Sequence, residues 1–430
     1  MRRYESYKDS GVEWLGKIPS QWELTIGMNV FRENKRDNKG MKEKTVLSLS
    51  YGQIIIKPEE KLVGLVPESF ENYQIVEPND IIIRCTDLQN DQTSLRTGLA
   101  KDKGIITSAY LNLKVINNHS AKFLHYYLHT LDITKVLYKF GSGLRQNLSF
   151  LDFKRLPIID IPLSEQQKIA QFLDDKTAKI DQAVDLAEKQ IALLKEHKQI
   201  LIQNAVTRGL NPDVPLKDSG VEWIGQVPEH WEVKKIKHVT SKIGSGITPL
   251  GGGSNYIDGG IPLLRSQNIH FDRIDLNDVA RISEFTHNSM KNSKVRKGDV
   301  LLNITGGSLG RCFYVDSNEE MNVNQHVCII RPNKKINTIF LNMLLASEIG
   351  QKQIWFFQQG GGREGLNFQA IKNFYLPLPD LEEQQKIAIY LDKQAAKIDQ
   401  AIALKTAHIE KLKEYKSVLI NDVVTGKVRV

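Results

Sequence analysis

The chain has 430 residues, 41% of them hydrophobic and 25% charged, which predicts two to three soluble domains with sizeable cores. No run nears the ~20 apolar residues that span a bilayer, and no apolar run follows the basic start Arg2-Arg3, so membrane-spanning and signal-peptide readings are excluded. Net charge is +8, which favours a polyanionic partner without requiring one. The surplus lies in residues 1–162 (23 basic, 19 acidic) and 216–380 (19 and 16), rather than in 163–215 (7 and 8) or 381–430 (9 and 7). Cys85, Cys312 and Cys328 form no CxxC pair, so a reducing, cytoplasmic setting is expected.

In chain order, a leading segment Lys8-Asp9-Ser10-Gly11-Val12-Glu13-Trp14, continuing to Trp22-Glu23, comes first. Short β-type runs follow at 45–49, 53–56, 80–84 and 111–115, then a helix-like stretch Ala121–Leu131 and a glycine-rich loop, Gly141–Phe150, that carries an arginine. From 163 the pattern changes. Ile180, Val184, Ala187, Ile191, Leu194, Lys198, Leu201 and Ala205 alternate steps of four and three, the 3.5-residue seam of a coiled coil. Gly209 supplies the stop.

The whole order then repeats. Lys217-Asp218-Ser219-Gly220-Val221-Glu222-Trp223 restates the leading segment up to Trp231-Glu232. A second body has β-type runs at 261–264, 299–303 and 327–330, a helix-like stretch Ile339–Ala346 and a glycine-rich loop around Arg363. The seam returns as Ile398, Ile402, Lys405, Ile409, Leu412, Lys416, Leu419 and Val423, with Gly426 as the stop. Across 164–209 against 382–427, 24 of 46 positions are identical, whereas 24–140 and 233–358 look largely unrelated. Two like frames holding two unlike bodies suit a pair of interchangeable readers. Each apolar stripe needs a partner, and its own duplicate is at hand. An antiparallel pair would place the bodies at opposite ends about a pseudo-twofold axis, with an intermolecular coiled coil as the alternative. Lys198 and Lys416 are expected to snorkel rather than pair. The four frame tryptophans are expected to pack each leading segment against a helix end.

The expected fold class is α+β: two strand-rich domains joined by two long helices that form an antiparallel coiled coil, with an internal pseudo-twofold repeat. The expected boundaries are 1–162 and 211–380 for the two domains, and 163–210 and 381–430 for the helical spacers. The seam residues are Ile180, Val184, Ile191, Leu194, Leu201, Ile398, Ile402, Ile409, Leu412 and Leu419.

A search for a reaction centre returns blanks. There is no GxxxxGK[ST], no GxGxxG after a strand, no HExxH and no Pro-Pro, and Thr305–Gly310 is glycine-rich but lacks the lysine of a phosphate loop. No catalytic or metal-ligating residue is therefore expected. The duplicated frame, the Asp-Ser-Gly-Val-Glu-Trp segments and the Glu-Gln-Gln-Lys-Ile-Ala helix starts at 165–170 and 383–388 closely resemble the specificity subunits of type I restriction–modification systems. The resemblance covers essentially the whole chain. It implies a non-catalytic subunit whose two target-recognition domains each read half of a bipartite, asymmetric duplex DNA sequence. It further implies that the helices dock modification (methyltransferase) subunits, two in number, with restriction subunits joining that complex. S-adenosylmethionine and ATP would belong to those partners, and no cofactor to this chain. The alternatives are a self-contained DNA methyltransferase or nuclease, and an interaction scaffold that touches no nucleic acid.

Base reading needs planar groups with paired donors or acceptors, Arg for guanine and Asn or Gln for adenine. Candidates sit where a loop interrupts a strand pattern: Arg84, Gln89, Asn90, Arg96, Arg145, Gln146 and Asn147 in the first body, and Arg265, Gln267, Asn268, Arg311 and Arg363 in the second. Each could instead be a surface salt-bridge partner or a turn residue.

Overall fold

A computed structural model describes residues 2–58, 60, 69–91, 93–141, 146–249, 253, 256–358 and 365–430. The chain divides into two compact units, one made of Met1–Glu188 and Thr406–Val430, the other of Lys189–Lys405. The elements used below are strands β1 (Phe31–Glu33), β2 (Ile81–Arg84), β3 (Thr97–Leu99), β4 (Tyr110–Val115), β5 (Thr240–Ser245), β6 (Val300–Asn303), β7 (Cys312–Tyr314) and β8 (Val327–Pro332). The helices are α1 (Ala121–Ile133), α2 (Leu163–Arg208), α3 (Thr338–Ala346) and α4 (Leu381–Val424).

In the first unit an antiparallel sheet runs in the order β1-β4-β2-β3. Ile81, Ile82 and Ile83 are all buried, as an uninterrupted apolar run requires of a strand covered on both faces. One face of α1 (Phe123, Leu124, Tyr127, Leu128, Leu131) enters the same core. Glu23–Ile26 pairs with Pro157–Asp160 and closes the body at its base. The second unit repeats this plan, with a sheet ordered β5-β8-β6-β7, a helix α3 buried against it, and Glu232–Lys235 paired with Tyr375–Leu378. The bodies diverge outside the sheets. The first adds a hairpin, Leu47–Ser50 with Gln53–Ile56, turned by Tyr51-Gly52 at positive φ (47° and 77°). The second adds a three-stranded sheet in which Ile261–Leu264 pairs antiparallel with Ala280–Ile282 and parallel with Asn322–Val323.

The repeated motifs fasten the frame in the same way twice. Trp22 and Trp231 are fully buried, and their indole N–H groups donate to Glu165 and Glu383 at 3.1 Å in both units. The next residue along, Gln166 or Gln384, accepts the backbone N–H of the α1 or α3 N-cap (Ser120, 2.8 Å; Asn337, 2.7 Å). Its amide N–H donates back to the loop before the long helix, at Ile161 O or Pro379 O. The Glu-Gln-Gln start therefore holds both a leading segment and a body helix. Gly426 and Gly209, at φ +77° and +74°, end the long helices against Trp22 and Trp231.

Within each unit the two long helices run antiparallel. In the first, Asp181 of α2 meets Lys416 of α4 at 2.7 Å; in the second, Lys198 of α2 meets Asp399 of α4 at 2.7 Å. This corrects the expectation that the two seam lysines snorkel unpaired. Asp181 and Asp399 flank the seam within reach of the lysine on the facing helix. Every seam position is buried or half-buried, while most residues between are exposed. Ile180, Leu419, Ile420 and Val423 join the first core, and Ala205, Ile387 and Leu391 the second.

Candidate nucleic-acid interface

In the second body four loops converge beyond the same end of the sheets. The first follows Ile261–Leu264: a 3-10 turn, Ser266–Asn268, tied by Asn303 Nδ2 donating to Ser266 O at 2.7 Å. Next comes the segment after β6, where Asn303 N bonds Arg311 O and Gly310 N bonds Asn303 O, closing a loop over 304–310. The segment Asn324–His326 lies beside both, since Asn324 N bonds Leu264 O and Ile304 N bonds His326 O. Gly365 bridges Thr305, which brings the exit of the glycine-rich loop to the same place. Gly246 at the end of β5 approaches so closely that a Cβ there would lie 1.7 Å from Val323 O; only glycine fits.

The first body builds a smaller version. Leu148 N bonds Cys85 O at 2.8 Å, as Leu366 N bonds Ile304 O at 2.9 Å, so the exits of the two glycine-rich loops occupy equivalent places. Asp87 N donates to Asn147 Oδ1, which joins the loop after β2 to that exit.

The candidate base readers separate into three groups. Gln89 and Gln267 are exposed, and Arg311 is half-exposed, with no side-chain partner among the described residues. Arg265 is half-buried with its guanidinium 5.7 Å from the Tyr256 ring centre. A second group is engaged but reachable. Arg84 is paired with Asp91 at 3.0 Å, and the Ser94 backbone and side-chain hydrogen bonds, more than Arg84, hold the Asp91 carboxyl down at about 2. Asn90 donates to Asp87, Gln146 donates to Tyr138 O and Phe140 O, and Asn147 accepts from Asp87. The third group lies inside. Arg96 is 0% exposed and donates to Tyr138 Oη and to the carbonyls of Arg84, Thr86, Asp87 and Asp91. Its guanidinium staples the loop that carries Gln89 and Asn90 and has nothing left to offer a base. Asn268 is 2% exposed and locks its own turn, accepting from Arg265 N and donating to Asp275 O. Both expectations of a direct contact are corrected: neither local sequence reveals that its side chain turns inward. Arg145 and Arg363 lie outside the described residues.

Sequence reasoning passed over Thr248, Thr305, Gln325 and His326, which hydrogen-bond across three of the second body's loops. Only the polar break Asn324-Gln325-His326 after a short strand hints at them.

In the first unit a cavity of about 860 Å³ lies among the hairpin, α1 and the long helices, lined by Tyr51, His125, Tyr126, His129, Asp181 and Lys416 among others. Burial, and then the neighbouring His129, pushes His125 down to about 3, while burial and then Lys416 push His129 to about 4, so both imidazoles are neutral. Among the described residues no three His, Cys, Asp or Glu side chains gather as a metal site. No helix there is long and apolar enough to cross a membrane.

Comparison with known proteins adds the lineage. The family "Type I restriction modification DNA specificity domain" matches twice, over residues 29–195 and 228–414. The MjaVIII type I restriction enzyme specificity subunit of Methanocaldococcus jannaschii is 28% identical over 83% of this chain and 80% of its own length. The EcoBI specificity subunit of Escherichia coli is 31% identical over 55% of this chain and 51% of its own. A chain solved in work on assembly and conformational transition of the type I R-M system shares the fold at a TM-score of 0.70 and 16% identity, covering 96% of this chain and 99% of that one.

Proposed function

Because this chain belongs to the type I restriction modification DNA specificity family, we propose that it reads a bipartite, asymmetric duplex DNA target for a restriction–modification complex whose reactions are carried by other subunits. The observation that carries the reading is repetition with divergence. The same sheet order and the same tryptophan–glutamate and glutamine clasps recur in both units, while the loops beyond the sheets differ. Unlike loops on like supports suit two different half-sites. The polar, partly unengaged side chains at those loops (Gln89, Gln267, Arg265, Arg311) are the types that match base edges, and Arg145 and Arg363 stay in the proposal as members of the glycine-rich loops.

The helices offer a second surface. Leu186, Leu193 and Ile200 on α2 follow a seven-residue step away from the seam and are 50–63% exposed. Leu404 and Val418, at the positions of α4 equivalent to Leu186 and Ile200, are 66% and 49% exposed. The middle position of α4 is Lys411 where α2 has Leu193, so only the outer two apolar positions recur; exposed apolar residues of this kind fit helices of modification subunits, two in number. Restriction subunits would join through that complex.

The test is binding and methylation. The assembled complex should bind one duplex sequence far more tightly than random duplex, with an affinity that falls steeply as salt rises. Modified-base sequencing of cells with and without the gene should show one motif of two unlike halves lost together. Sequence-indifferent binding with an unchanged methylome would refute the reading.

A further inference from the structure

Resting on that reading, we propose that Gln325 is an adenine-reading residue of the second body, held in reading orientation by His326 and Thr248. Gln325 is exposed, yet both ends of its amide are anchored. Its Nε2 donates to His326 Nε2 at 3.1 Å, and its Oε1 accepts from the Thr248 hydroxyl. Because the amide nitrogen can only donate, His326 Nε2 is the acceptor, and the imidazole proton sits on Nδ1. That proton is donated to Thr305 Oγ1 at 2.6 Å, which carries the chain of bonds to a third loop. The backbone beneath is fixed as well. Asn324 Oδ1 accepts His326 N at 3.0 Å, and Gly246 N bonds Asn324 O.

An exposed glutamine ordinarily keeps its rotamer freedom, and fixing it at a bare surface gains little. Here two side chains from other positions hold it, leaving one N–H and one oxygen lone pair unused. In the major groove adenine alone offers a neighbouring acceptor and donor, N7 and the N6 amino group, to such a pair. A side chain ordered before binding loses less entropy when it meets its base, so the relay would sharpen selectivity as well as place the amide. Gln325 lies among the loops that also hold Gln267 and Arg311, which puts it among the residues offered to the same half-site.

The experiment uses the full chain assembled with its modification subunits, and reads the methylated motif by modified-base sequencing. Gln325→Ala is expected to relax one adenine position of one half-site, with discrimination there falling about tenfold or more, and to leave the other half-site intact. Gln325→Glu, which can only accept, is expected to move preference at that position toward cytosine, whose amino group donates. His326→Ala should relax the same position less than Gln325→Ala does, and His326→Gln, which can restore an acceptor, should recover part of it. Thermal unfolding of each variant establishes that it is folded. An unchanged motif in both Gln325 variants overturns the assignment, as does a folded variant that loses affinity equally for every sequence. Wild-type protein without any sequence preference would instead overturn the broader reading on which this one rests.

Discussion

The buried tryptophans show how much a single polar atom can carry. Trp22 fills the base of the first core, and its one polar group reaches Glu165, which also accepts from Tyr4 Oη at 3.0 Å. Trp22→Phe keeps most of the packing but strands part of that carboxylate. We expect a loss of about 2 kcal/mol, read from urea unfolding, with Trp231→Phe costing a similar amount in the second unit. The neutral pair His125 and His129 gives a pH signature. Their folded values, about 3 and about 4, lie below the 6.5 of an open chain, so on acidification the unfolded chain takes up protons first. Stability is therefore full above about pH 6.5 and falls toward pH 4, by up to about 1.4 kcal/mol per pH unit for each imidazole. In a double variant, His125→Gln with His129→Gln, the melting temperature should depend less on pH between 6.5 and 4; an unchanged dependence would assign it to other groups. Residue roles are the least legible level in the sequence. Arg96 and Gln89 sit in one polar stretch, yet the first turns inward to bind five acceptors and the second faces solvent. Gln325 gains its interest only once the fold brings Thr248 to its amide and Thr305 to the neighbouring His326.

At the scale of elements the sequence is far more transparent, because periodicity reports directly on burial. The four-three spacing picks out the positions that the facing helix covers, and the apolar runs at 80–84 and 299–303 become the central strands β2 and β6. The seam lysines show where periodicity stops informing. It marks Lys198 and Lys416 as inward-leaning but cannot say that Asp399 and Asp181 wait opposite, since that depends on the register between two distant helices. The lysine side chains are 22% and 30% exposed and their partners 52% and 54%, so solvent screens each pair. A double-mutant cycle on Lys416 and Asp181 should give a coupling of about 0.5 kcal/mol that shrinks in high salt. The helix stops are worth more. Gly426 has φ +77°, and a Cβ there would lie 2.4 Å from Pro19 Cδ and 2.7 Å from Trp22 Cζ3. Gly426→Ala should therefore cost more than the ~1 kcal/mol of left-handed backbone strain alone, seen as a lower thermal midpoint.

For the molecule as a whole, the question is where a reader ends and its frame begins. Sequence comparison places the divergence at 24–140, the stretch that looks largely unrelated to 233–358. Physical boundaries follow hydrogen bonds instead. Glu23–Ile26 is paired over four residues with Pro157–Asp160, and this small sheet recurs in the second unit as Glu232–Lys235 with Tyr375–Leu378, so it belongs to the frame although its sequence drifts. Gly27 lies so close to the short helix Phe150–Arg155 that a Cβ would fall 1.9 Å from Phe153 O, which makes residue 27 and that helix one unit of packing. On these contacts we expect an exchangeable reader to run from 27 to 156, and its counterpart from 236 to 374. Grafting residues 27–156 of a related specificity subunit into this chain should give a stable protein. Its complex should methylate a motif with one new half and one retained half. A graft cut at 24 and 140 leaves Phe150–Arg155 facing a foreign partner at position 27, and should melt at a lower temperature or fail to accumulate. Thermal unfolding of the two chimaeras, together with modified-base sequencing of cells carrying each, separates the cases. If the 27–156 graft changed both halves of the motif, the two readers would not be independent, and the duplicated clasps would have to transmit sequence information rather than merely hold the domains that read it.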